Sequence, residues 1–188
     1  MTTRTILLAV TGASGMPYAV RLAETLAETP DVSLHVIFSE AARRVLALES
    51  PDGGRRIEDA ADVVHEATDM AASPASGSWP HHGMVVCPCT MSTLACIAAG
   101  TGSNLVHRAA DVALKERRPL VLVTRETPLS LIHIENMATA TRAGAVIMPA
   151  CPGFYAGADS VDSLADFMAA RILDHLGLPQ TLVRPWNT

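Results

Sequence analysis

The chain has 188 residues, of which 49% are hydrophobic and 18% charged, with a formal net charge of −5. That length suits one domain with a proper core, and the acidic balance excludes a nucleic-acid surface, so an anionic ligand needs a local group of Arg and Lys. No apolar run approaches the roughly 20 residues of a membrane span, and the N-terminal run passes straight into a glycine turn, which excludes a signal peptide.

The first predicted strand, Ile6–Val10, is apolar without alternation, the pattern of a parallel strand buried on both faces. Thr11-Gly12-Ala13-Ser14-Gly15 comes next as a turn whose two glycines permit positive φ and close approach of backbone to a ligand. Ala19, Leu22, Ala23 and Leu26 then predict a helix over Met16–Glu28. Its first amides lack intrahelical partners and carry the positive end of the dipole, a ready site for phosphate.

Further strands are expected at Val32–Phe38, about Val63–Ala67, Met84–Cys87, Leu120–Val123 and Ala145–Met148. Helices are expected at Glu40–Glu49, Ser92–Ala99, Asn104–Arg117 and about Ile134–Ala143. A last helix, about Val161–Leu176, stops at Gly177 with Pro179 beyond. Ser50–Gly54 reads as a turn, and Ser73–Gly83 as a loop too long for a bare connector, which points to function. Strands alternating with helices specify an α/β, three-layer, doubly wound (Rossmann-like) parallel sheet. The expected organisation is a single domain over residues 1–188 with a C-terminal tail from about 178.

Ligands in such sheets bind at the carboxyl ends of the strands. There the chain offers Thr11–Gly15, Ser39, the Ser76-Gly77-Ser78 loop, the Cys87–Thr93 turn, Arg125-Glu126 and Pro152-Gly153-Phe154-Tyr155. These groups are expected to converge on one edge as a site. A dinucleotide fingerprint would require Gly-x-Gly-x-x-Gly and an acid ending the second strand. Here the turn is Gly-x-x-Gly and that strand ends in Ser39, so a mononucleotide fits better than NAD. Taken singly, Ser39 or Thr90 reads as an ordinary helix N-cap.

Glu49 ends the apolar stripe of Ala42, Val45 and Leu46, where a carboxylate is costly unless partnered; it either turns outward or faces the site. Arg108, Lys115, Arg117 and Arg118 are four cations within eleven positions. Arg108 and Lys115 share a helix face, whereas Arg117 and Arg118 read as complements of the helix dipole. Arg171, amid Leu164, Phe167, Met168 and Ile172, reads as a cation facing inward. Cys87, Cys89, Cys96 and Cys151 have no metal-ligand spacing and are expected to be reduced, buried thiols of a cytoplasmic protein. So little charge implies apolar surface buried between subunits, although alanine-rich helices have the same effect on composition.

Over nearly its whole length the sequence resembles the flavin prenyltransferases of the UbiX family. The resemblance rests on Thr11-Gly-Ala-Ser-Gly15, Ala75-Ser-Gly-Ser78, Cys87-Pro-Cys-Thr90 with Thr93-Leu94, and Arg108-Ala-Ala-Asp-Val112. It continues through Leu114–Val123, Arg125-Glu126, His133-Ile-Glu-Asn-Met137 and Pro152-Gly-Phe-Tyr155. It implies that FMN binds at Gly12, Ala13, Ser14, Ser39, Thr90, Thr93 and Arg125. It also implies a site for dimethylallyl phosphate lined by Ser76, Gly77, Arg108, Lys115, Glu126, Tyr155 and Arg171, with Glu49 as a further site carboxylate. Glu49, Glu126 and Lys115 are the expected catalytic groups, and no metal is expected. The implied protein is a homododecamer with sites between subunits, and its product, prenylated FMN, serves a partner decarboxylase.

Three positions depart from the family pattern. Thr124 replaces a common proline, Met70 lies near a tryptophan of some relatives, and the chain ends soon after Trp186, so no role of a longer tail is expected. The competing readings are a flavin-dependent decarboxylase of cysteine-derived substrates, a direct decarboxylase of aromatic acids, and a non-catalytic flavin carrier. The first is disfavoured by the Ala75-Ser-Gly-Ser loop and by His35 lying inside a strand. The carrier is disfavoured by a second anion site that FMN alone would not need. His81, His82, His107 and His175 receive no role.

Overall fold

The computed structural model describes residues 3–184. Six parallel strands form one sheet: β1 (Arg4–Val10), β2 (Val32–Phe38), β3 (Val63–Glu66), β4 (Gly83–Cys89), β5 (Leu120–Thr124) and β6 (Val146–Pro149). Their order is β3-β2-β1-β4-β5-β6, so the sheet winds one way from β1 and the other way from β4. The crevice between the carboxyl ends of β1 and β4 is therefore the switch point at which such sheets take ligands.

The unbroken apolar run of β1 is explained by two cores. Ile6, Leu8 and Val10 pack beneath α1 (Met16–Glu28) and α7 (Val161–Leu176), while Leu7 and Ala9 pack beneath α4 (Met91–Ala99) and α5 (Leu105–Lys115). Every strand residue from Ile6 to Val10 is fully buried. α2 (Glu40–Glu49) follows β2, and α6 (Leu131–Ala143) precedes β6.

The main difference from the expected elements is α3 (Gly53–Ala60), where the sequence predicts only a turn at its start. Its apolar periodicity is faint because Ile57 is its one large buried side chain. Ion pairs fasten its polar side instead, Arg56 to Glu24 and Arg43 to Glu58, each at 2.7 Å. α6 is also unusual: within it only Ala140 is buried, and Leu131, Ile132 and Ile134 are exposed. No helix of the described residues is long and apolar enough to cross a membrane. Trp186 lies outside the described residues.

Candidate active site

Three helices begin around the switch point, and each N-terminus is finished differently. Ser39 caps α2 by accepting from the Ala42 amide (3.1 Å), and Thr90 caps α4 by accepting from the Thr93 amide (3.0 Å). Both hydroxyls therefore act as N-caps and still stand on the ligand edge, the Thr90 hydroxyl donating onward to that of Thr93. Gly15 precedes α1 with φ 113° and offers no side chain to cap it. The cap comes from Glu49, whose Oε2 accepts from the amides of Gly15 (2.8 Å) and Met16 (3.0 Å).

Glu49 thus faces the glycine turn, which decides between the two orientations left open by its sequence position. Burial by itself would raise its pKa. Hydrogen bonds from the Ser14 hydroxyl and the Met16 and Gly15 amides, with the charge of Arg125, outweigh burial and hold the carboxyl below its ordinary value.

The turn is tied to its surroundings at three points. A Cβ on Gly12 would stand 2.5 Å from Ala41 Cβ, so glycine there lets the start of α2 lie against the turn. The buried Thr11 hydroxyl donates to the Pro88 carbonyl (2.6 Å) and accepts from the Thr90 amide (3.0 Å), joining β1 to the β4–α4 junction. Arg125 Nε donates to the Ser14 carbonyl at 3.2 Å, and its amide donates to the Cys89 carbonyl. Thr11, expected on this edge but given no role by the sequence, is thus the hydroxyl that joins the turn to the β4–α4 junction. Beyond Arg125, the exposed Glu126 accepts from the Thr127 amide at 3.0 Å.

Gly12, Ala13, Ser14, Ser39, Thr90, Thr93, Arg125, Glu49 and Glu126 are therefore gathered at one edge. Its chemistry suits a phosphorylated flavin: backbone amides, four hydroxyls, one guanidinium, and a glycine that a Cβ would fill. β2 is followed by the Ser39 hydroxyl rather than by a ribose-binding carboxylate. Among the described residues, no group of three or more His, Cys, Asp or Glu side chains could hold a metal ion.

The Ser76-Gly77-Ser78 loop does not join that edge, a correction to the expected convergence. The Ser76-Gly77 segment runs back along α5 toward the amino ends of the strands. Arg108 Nε donates to the Ala75 carbonyl (3.0 Å) and its guanidinium pairs with Asp111 (2.6 Å). Gly77 lies against Lys115, with a Cβ position 2.6 Å from Nζ, and Lys115 is paired with Glu116. His82 shows where this loop leads, since its amide donates to the Thr5 carbonyl at the start of β1.

Tyr155 and Arg171 occupy the other layer. Tyr155 makes an edge-on contact with Phe167 of α7 at 5.6 Å between ring centroids. Arg171 does not face inward as its neighbours in sequence suggest. It is half-exposed, pairs with Asp174 at 2.7 Å, and lines a surface groove between α7 and β6 with Met148, Cys151 and Phe167. A 100° step per residue places it at the margin of the buried stripe of Ala165, Met168, Ala169, Ile172 and Leu176, on the solvent side. The sheet therefore separates Arg108 and Lys115 from Tyr155 and Arg171.

Comparison with known proteins bears on the family and the fold. The Flavoprotein family model matches residues 1–173. The flavin prenyltransferase UbiX of Escherichia coli (strain K12) is 44% identical over 184 residues, covering 97% of each chain. The crystal structure of AnUbiX in complex with FMN and dimethylallyl pyrophosphate superposes with a TM-score of 0.95 at 43% identity, covering 99% of this chain and 98% of that one. A dodecameric FMN-dependent UbiX-like decarboxylase from Escherichia coli O157:H7 gives a TM-score of 0.94 at 43% identity, over 98% and 100% of the two chains.

Proposed function

The chain belongs to the flavin prenyltransferases of the UbiX family, and from that premise we propose that it joins a dimethylallyl group from dimethylallyl phosphate to N5 and C6 of reduced FMN. The observation that carries this reading is the junction of Ser14, Arg125 and Glu49 at the glycine turn, with Glu126 one residue beyond. Gly12, Ala13, Ser14, Ser39, Thr90, Thr93 and Arg125 would hold the flavin. Once bound, reduced FMN supplies the electron-rich ring that accepts the prenyl group.

The residues of the chain handle the charge that moves. When the donor's allylic C–O bond breaks, phosphate leaves with the electron pair. Arg108, Lys115, Arg171 and the Tyr155 hydroxyl take up its negative charge, with Ser76 and Gly77 lining the same site. Preset donors of this kind are each worth about 2.7–4 kcal/mol in a transition state. Closing the second bond would join C6 to the tertiary carbon of the remaining C=C, whose central carbon takes up a proton as C6 loses one, and Glu126 or the released phosphate beside it is the base that handles this proton. Glu49 is held ionised by its helix-start amides, so it orients the phosphate rather than protonating it.

The donor residues lie on two sides of one sheet, so a complete donor site draws on more than one copy of the chain. We therefore take the assembly to be a homododecamer, as in the dodecameric relative, with the apolar side chains of α6 among its contacts. The protein is read as one flavoprotein domain over residues 1–188 with a tail from about 178, working in the cytoplasm. Its prenylated FMN passes to a partner decarboxylase.

The test is anaerobic incubation with reduced FMN and dimethylallyl phosphate or its diphosphate, then the mass of the extracted flavin. A gain of one five-carbon unit supports the reading. Unmodified flavin with both donors overturns it.

A further inference from the structure

The loop that carries Ser76 and Gly77 is fastened by a residue outside the proposed reaction. Arg118 stands between the end of α5 and the start of β5. Its Nη2 donates to the Gly77 carbonyl and its Nη1 to the Trp79 carbonyl, both at 2.8 Å. Arg108 Nε holds the Ala75 carbonyl at 3.0 Å, so the alternate carbonyls of residues 75, 77 and 79 all turn toward cations of one helix or its end. On this backing Ser76 is left exposed, with its hydroxyl 2.8 Å from that of Ser78.

The geometry calls for arginine. The turn at residues 76–79, closed by the Trp79 amide on the Ser76 carbonyl, presents two acceptors two residues apart to the planar fork of one guanidinium, whereas an ammonium is a point charge on a flexible stem. Downstream, the Trp79 ring packs against His35 (5.0 Å) and His81 (5.7 Å), which roots that end of the loop in the molecule. Upstream, Gly77 has no side chain and lies directly on Lys115 and Glu116. Arg118 bridges these two anchor points.

We propose that Arg118 is a positioning residue for prenyl transfer: its fork on the Gly77 and Trp79 carbonyls sets the spacing between the Ser76-Gly77 segment and the Lys115 ammonium, and so the affinity for the donor phosphate. The inference rests on the reading of Ser76, Gly77 and Lys115 as donor-binding groups. Sequence position disguised the role, because a cation just past a helix end is explained well enough by the dipole.

The experiment measures anaerobic prenylation by the full assembly for wild type, Arg118→Ala, Arg118→Lys and Lys115→Ala. FMN affinity is tracked in parallel by flavin fluorescence. Arg118→Ala is expected to raise KM for dimethylallyl phosphate about tenfold or more while leaving FMN affinity unchanged, since a small misplacement of binding groups is costly. Guanidinium ion added to Arg118→Ala is expected to lower that KM again, and Arg118→Lys is expected to recover only part of it.

A donor KM within about twofold of wild type in Arg118→Ala, with a raised KM in Lys115→Ala, overturns the role of Arg118 alone. An unchanged KM in Lys115→Ala overturns the donor-site reading on which it rests. Loss of FMN binding in both Arg118 variants would make the residue structural and also overturns the proposal.

Discussion

The Glu49 carboxylate caps the start of α1 from the end of α2, accepting from the amides of Gly15 and Met16 with one oxygen. A negative charge at a helix N-terminus interacts favourably with the dipole, and this one sits where an anionic ligand would otherwise meet the same amides.

Glu49→Gln keeps the shape and removes the charge. Because Glu49 is exposed, its loss is expected to cost about 0.3–1 kcal/mol of stability at pH 7. The folded-state pKa lies below the ordinary value of 4.5, so this contribution is complete above that value and fades as pH falls through the folded pKa. Denaturant unfolding at pH 7 and pH 3 checks this: the gap between variant and wild type should narrow at pH 3.

Glu126→Gln tests the base. Glu126 is exposed and, among the described residues, bonded only locally, to the Thr127 amide, so the fold and FMN binding should be retained. Product formation is expected to fall by about 10²–10⁴-fold, the usual worth of general base catalysis. The check is single-turnover flavin mass together with FMN affinity. An undiminished yield would remove Glu126 from the mechanism.

Arg171→Ala removes a half-exposed cation whose partner in one protomer is Asp174 on its own helix. Surface pairs of this kind contribute about 0–1 kcal/mol, so little change in stability is expected. Donor KM should rise with FMN affinity unchanged. Isothermal titration with dimethylallyl phosphate checks this, and unchanged affinity would exclude Arg171 from the donor site.

His81 sets an acid limit. It is 5% exposed, and burial, with the positive charge of Arg118, pushes its pKa down from 6.5 to about 4. The unfolded chain therefore takes up a proton near pH 6.5 that the folded chain refuses until about pH 4, and stability falls as pH drops through that window. His35, His65 and His107 are lowered by burial in the same direction. His81→Phe should accordingly lose less stability than wild type between pH 7 and pH 5, as read from unfolding midpoints.

Much of the fold was legible because the sheet interior demands unbroken apolar strands and the glycine turn demands its residues locally. α3 escaped because ion pairs, rather than an apolar stripe, secure it. The flavin edge was legible because most of its members sit directly after a strand. The Ser76-Gly77-Ser78 loop and Arg171 were misplaced in position. Proximity to a strand end along the chain does not reveal that residues 76–79 double back along α5, or that Arg171 sits just outside the stripe it interrupts. Arg118 stayed hidden because its partners are backbone carbonyls, which leave no mark in a sequence.

The sheet lies between Lys115 and Arg171, so damage to one and damage to the other fall on different surfaces of the protomer. On the proposed donor site shared between copies, two defective chains would mend each other. When Lys115→Ala and Arg171→Ala chains are made together, some sites will take their lysine from one kind of chain and their arginine from the other. Mixed particles should show a donor KM nearer to wild type than either variant alone, while one chain carrying both changes should gain nothing in any mixture with itself.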